Sequence, residues 1–263
     1  MITNTTELKE IHYMLNYRPF EPQYSRYLEA PEIIAAGYKI TDVYTAICQA
    51  RIHLSYYECD DFGELAPKDH DISMKWARSQ MCIDALIYYN ICIDLSWQVT
   101  WAFYQATSME YLFQNKYEGM SKECTLEAIN TLLEYRIKTE PIPNSTVAKD
   151  IRNTINSFMN NSLTEEIRTS YNYIKHRGGY YIPGLGENNK HLLFSLAGKK
   201  LPVLSRPEMD MEGMYVKLLL FDVEFIKYFE SIINKLMPND YMDSNIDLGT
   251  FINNYHNILD ANT

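Results

Sequence analysis

Three side chains that could act together on a phosphate recur at regular spacing late in the chain. In RTSYNYIKHRGG, residues 168 to 179, Arg168, Asn172 and His176 stand at i, i+4 and i+8, so a helix carries them along one face. His176 falls where that helix should end, at the negative pole of its dipole, which favours a cation. Lys175 and Arg177 flank it, and Gly178 and Gly179 leave no bulky side chain over the ring. An imidazole with cations and an amide at hand is equipped to move a proton near neutral pH and to steady a phosphate oxygen. The same residues have an ordinary reading too, because histidine at a helix C-terminus is common capping chemistry.

Charge marks the same region. The chain has 24 Lys and Arg against 34 Asp and Glu, a net charge of −10. From Arg168 to Arg206 seven basic residues face Glu187 alone, so this segment carries +6 and the remainder −16. A basic segment on an acidic protein is where an anionic ligand would be steered. Its phosphate-binding cations would be Lys175, Lys190, Lys199 and Lys200; the plainer alternative is a solvated loop.

YNYIKHRG, residues 171 to 178, resembles the end of the signature helix in the HEPN superfamily. That pattern is an Arg, a polar residue that is often Asn, and a His four to six residues beyond the Arg. Asn172 matches the polar position and His176 the histidine, while Tyr171 stands at the Arg position. The nearest upstream arginine, Arg168, has seven residues between it and His176.

The resemblance implies a compact helical bundle from a prokaryotic defence or toxin–antitoxin system. It implies a metal-independent endoribonuclease, working as a homodimer without a cofactor, with a protein partner such as an antitoxin or a nucleotidyltransferase-like protein. In that case His176 is general acid or base, Arg168 or Arg177 stabilises charge on the phosphate, and Asn172 orients them. The other reading is a non-catalytic scaffold or regulator that binds a protein partner. Asp94, a lone carboxylate on an apolar stretch, would pair with Arg168 or orient His176 in the first case, or be bonded by Tyr hydroxyls in the second.

The element that must organise the rest runs from about Ser73 to Gln105. It has no Pro or Gly and is apolar on all sides, the pattern of a buried helix. Asn90, Asp94 and Gln98 draw one polar line along it, and a carboxylate there must find a partner or take up a proton. Residues 1 to 30 read as an irregular arm. A helix is expected from Pro31 to Glu58, broken at Gly37 and recapped at Thr41. Others follow at about 109–117, at 121–139 capped by Ser121, and at 144–158. The signature helix is capped by Ser162 with Glu165. Residues 178 to 206 form a basic insertion, with a small hairpin at about 191–205. The next helix starts at Ser205, Pro207 and Glu208 and runs to Leu236. A last one near 248–259 lies in a C-terminal segment, 238–263, that packs on the bundle. The expected fold is mainly α: an antiparallel bundle of about seven helices from residue 31 to 237, with one small β-hairpin.

Several classes drop out. Asn90, Asp94, Ser96, Gln98 and Thr100 interrupt the hydropathy of residues 85 to 105, and a mid-bilayer Asp costs about 2.5 to 3.5 kcal/mol, so no membrane span is expected. The N-terminus lacks the apolar core of a signal peptide, and five cysteines without a Cys-x-x-Cys pair point to reduced thiols and a cytoplasmic protein. Glu-x-x-His, P-loop and Gly-x-Ser-x-Gly motifs are missing. His53, His176 and His256 have no ligand spacing, so no metal is expected.

Overall fold

In a computed structural model, the structure describes residues 2–11, 26–27, 30–108, 111, 114–185, 190–241, 249, 252–253 and 256. Among them the fold is mainly α: seven helices and one two-stranded antiparallel sheet. The helices are α1 (Pro31–Tyr57), α2 (Asp71–Gln105), α3 (Gln114–Lys122), α4 (Leu126–Thr139), α5 (Asn144–Met159), α6 (Ser162–Arg177) and α7 (Met211–Leu236). The strands, β1 (His191–Leu196) and β2 (Lys199–Ser205), lie between α6 and α7.

The long helix α2 begins two residues earlier than expected, because His70 caps it. The Ser73 N–H donates to His70 Nδ1 at 3.2 Å and the Met74 N–H to the His70 carbonyl at 3.0 Å. In α1, Gly37 does not break the helix. Thr41, expected as a new cap, turns its hydroxyl back onto the Gly37 carbonyl.

Other boundaries move for similar reasons. Gly119 lies inside α3, and the cap of α4 is Thr125, whose hydroxyl accepts from the Ala128 N–H. Asn161, not Ser162, caps α6 by accepting from the Leu163 N–H at 2.9 Å. Ser205, Pro207 and Glu208 do not start α7. Ser205 ends β2, and residues 207 to 209 bond instead to Tyr181, whose N–H reaches the Pro207 carbonyl and whose carbonyl accepts from Met209. Most of the expected 248–259 helix lies outside the described residues.

Contacts divide the chain into two units, and the division falls within α1, α2 and α7. The first unit holds residues 1–10, 47–90 and 160–225. Its buried side chains include Ile47, Leu54, Leu86, Tyr89, Ile167 and Phe221. The second holds residues 11–46, 91–159 and 226–263. There Tyr228 stacks on Phe158 with centroids 4.1 Å apart and meets the Ser96 hydroxyl at 3.0 Å. The Trp101 indole donates to the Met120 carbonyl, and α4 and α5 form a helical pair joined through a cis Ile142–Pro143 bond.

Tyr228 thus combines a buried ring with a bonded hydroxyl. Among the described residues no helix is long and apolar enough to cross a membrane.

A candidate site at the end of α6

Helix α6 belongs wholly to the first unit. Thr164, Ile167 and Ser170 form its buried side, and the Asn90 amide donates to the Ile167 carbonyl at 3.4 Å. That burial fixes the rotation of the helix and turns the opposite side outward. Asn172 and His176 are exposed on it, and Arg168, one turn back, is half-buried and engaged.

The last turn contains Lys175, His176 and Arg177, three groups that suit the negative end of a helix dipole. Lys175 reaches back so that its ammonium lies over the Tyr171 ring, 5.8 Å from the centroid. The residue at the expected arginine position therefore holds a cation instead of supplying one.

The chain then leaves through Gly178, at φ 96° and ψ −166°, a conformation open essentially to glycine alone. Past the glycines, Tyr180 folds back onto the helix. Its ring lies 4.6 Å from that of Tyr173, and its hydroxyl bonds to Ser170, with burial lifting that hydroxyl's pKa above its ordinary value. The return path covers the side of α6 marked by Ser170 and Tyr173 and leaves His176 uncovered.

The remaining expected site residues belong to other segments of the chain. Lys190 is bonded to Glu208 at 3.1 Å and sits over the Tyr181 ring. Lys199 and Lys200 are exposed at the start of β2. Asp94 belongs to the second unit, where it is half-buried and its charge, after burial, helps to raise the Cys124 thiol to about 12.

A fully buried carboxylate among the described residues is Asp222 of α7, 1% exposed, gripped by Arg51 and bonded by the Tyr89 hydroxyl at 2.7 Å. In the sequence Asp222 stands among apolar residues, LLLFDVEF. The available signal was an equally isolated Arg51, four residues past Ile47 on the stripe of α1.

The first unit also has a cleft of about 470 Å³ over Met74, Met209 and Met211. Asp71 and Glu212 on its rim sit in the first turns of α2 and α7, where helix dipoles favour carboxylates. No group of three His, Cys, Asp or Glu residues able to hold a metal occurs among the described residues, and all five cysteines are free. Comparison with protein-family models, with curated proteins and with solved structures finds no match for this chain.

Proposed function

We propose that this chain binds RNA at the C-terminal end of α6 and cleaves it there without a metal. The observation that carries the reading is the shared exposure of Asn172 and His176 on one face, among Lys175, Arg177 and a glycine exit. Phosphates of a single strand meet Lys175 and Arg177, and the imidazole is left free to reach a ribose.

In the reaction His176 takes the proton of a 2′-hydroxyl. The oxygen attacks the adjacent phosphorus, the bond to the 5′-oxygen breaks, and the leaving oxygen takes a proton from water or from the imidazolium. The products are a 2′,3′-cyclic phosphate and a free 5′-hydroxyl. Arg177, exposed beside the imidazole, or Arg168 two turns back, balances the charge that builds on the phosphate. Asn172 orients the phosphate between them.

The test uses the purified chain and its His176→Ala variant with total RNA in EDTA. Fragments ending in cyclic phosphate from the parent, and none from a variant of unchanged circular dichroism, support the enzyme. Identical RNA profiles overturn it.

One observation favours a second reading, a non-catalytic scaffold or regulator that binds a protein partner. Tyr171 stands where the resembled motif has its arginine, and its ring holds the Lys175 ammonium. Neither cleavage nor binding of RNA by either protein is the outcome that selects it.

A further inference from the structure

The hairpin between α6 and α7 is built to stand out from the chain. Its two-residue turn, Ala197 at φ 51° and Gly198 at φ 76°, has both central residues at positive φ, as a tight turn between twisted strands requires. At its base the Arg206 N–H donates to the Lys190 carbonyl at 2.8 Å, and Lys190 in turn bonds Glu208.

Beyond that base the large apolar side chains find no cover. Leu193, Phe194, Leu196, Leu201, Val203 and Leu204 are between 42% and 63% exposed. Two strands alone in water are marginal at best, whereas further strands with an apolar face, or a helix packed on the hairpin, make it stable. Such a hairpin calls for a covering partner, and its edges say which kind.

Its two edges are not equivalent. β2 is unsuited to further pairing: it carries Lys199 and Lys200 and includes Pro202, which has no N–H to donate. It also bulges at Val203, since Leu192 pairs with Leu204 and Leu193 with Pro202. β1, HLLFSL, has no proline, no bulge on its own strand and no Lys, Arg, Asp or Glu, and among the described residues no strand other than β2 pairs with it.

We infer that β1 pairs antiparallel with β1 of a second copy of this chain, making a four-stranded sheet around a two-fold axis. Two charge and symmetry arguments select a second copy. Identical strands paired antiparallel are self-complementary, so one edge satisfies the other and the assembly closes. Meeting through β1 sets no like formal charges face to face, while meeting through β2 would oppose Lys199 and Lys200. In the resulting sheet the lysines, the proline and the bulge lie on the outer strands, where they stop a third copy from adding.

The experiment measures the mass of the full chain by sedimentation at micromolar to tens-of-micromolar concentration. Leu193→Lys with Ser195→Lys places like charges across the new junction, and Leu193→Glu with Ser195→Glu does the same with the opposite sign. Each should raise the dimer Kd by ~10-fold or more. An equal mixture of the two should return to dimer, which a misfolded hairpin could not do. Val203→Lys with Leu204→Lys alters the blocked strand and should leave the dimer intact. A monomeric parent, whether or not its hairpin binds vesicles of anionic phospholipid, overturns the inference. So do lysine and glutamate variants that stay dimeric, or a mixture that stays monomeric.

Discussion

Arg51 holds Asp222 with two hydrogen bonds, Nε to Oδ2 at 2.8 Å and Nη2 to Oδ1 at 2.6 Å. Arg51 also donates to the Lys9 carbonyl at 2.6 Å, so one guanidinium ties the N-terminal segment and α7 to α1. Burial works against the guanidinium's charge, but hydrogen bonding to Asp222 and its negative charge outweigh it, and the arginine pKa moves up. Removing one partner leaves the other charge poorly compensated, which costs about 3 to 5 kcal/mol for buried pairs. Arg51→Leu and Asp222→Leu should each shift the urea midpoint by that order. The double variant should cost clearly less than their sum, because no charge is stranded. Additive losses would mean that the pair is not coupled.

At the exit from α6, Gly178 and Gly179 invite a paired comparison. A β-carbon at either position meets no atom within 4 Å, so crowding is not at issue. Only Gly178 has a backbone that L side chains rarely adopt. Gly178→Ala should therefore cost about 1 to 3 kcal/mol, or else swing Tyr180 away from Tyr173. Gly179→Ala should stay within about 0.5 kcal/mol of the parent. Thermal melts of the two variants decide it, and equal losses would refute the account.

How far the sequence could be read depends on which interactions are local. Periodicity over α1, α2 and α6 reports which faces are apolar, and those helices were legible to within a few residues. The hairpin was legible because Ala197 and Gly198 make a turn signal between apolar runs. Caps were harder. Ser162 and Asn161 are both good capping residues, and only the backbone decides which stands outside the first turn. The start of α7 failed for a different reason. Pro207 and Glu208 carry a helix-start pattern, but Tyr181, far away in sequence, claims their backbone for a bridge. The Arg51–Asp222 pair was not legible for the same reason, since it takes a contact across 171 residues. At the α6 end the rotation of the helix was legible, whereas the fold-back of Tyr180 that leaves His176 open was not.

Alkaline pH offers a test of burial. The Cys82 thiol, with no exposed surface, is pushed by burial up to about 12. In the unfolded chain it ionises near ~8.5. Between those values the unfolded state binds fewer protons than the folded state, so stability is full below the lower value and falls as pH rises. One such thiol contributes a slope of ~1.4 kcal/mol per pH unit. Tyr104 and Cys124, also raised to about 12 first of all by burial, act with the same sign. Denaturation between about pH 9 and 11 should show a shallower loss for Cys82→Ala than for the parent. Parallel curves would rule out a buried protonated thiol.

Salt dependence separates the cations at the α6 end from those tied up elsewhere. Each phosphate contact on a single strand adds about 0.7 to the slope of log K against log salt concentration. Lys175 and Arg177 are exposed at the helix end, so Lys175→Ala and Arg177→Ala should each lower the slope by about that amount on RNAs of any sequence. Lys190 is already bonded to Glu208, and Lys190→Ala should leave the slope unchanged. His176→Ala should abolish cleavage while the binding slope stays near the parent's, because the imidazole acts on the ribose and not on a phosphate. Fluorescence anisotropy of a labelled single strand over a salt series measures all four variants. A slope that falls equally for Lys190→Ala and Lys175→Ala would show that RNA is held by diffuse surface charge and not at the end of α6.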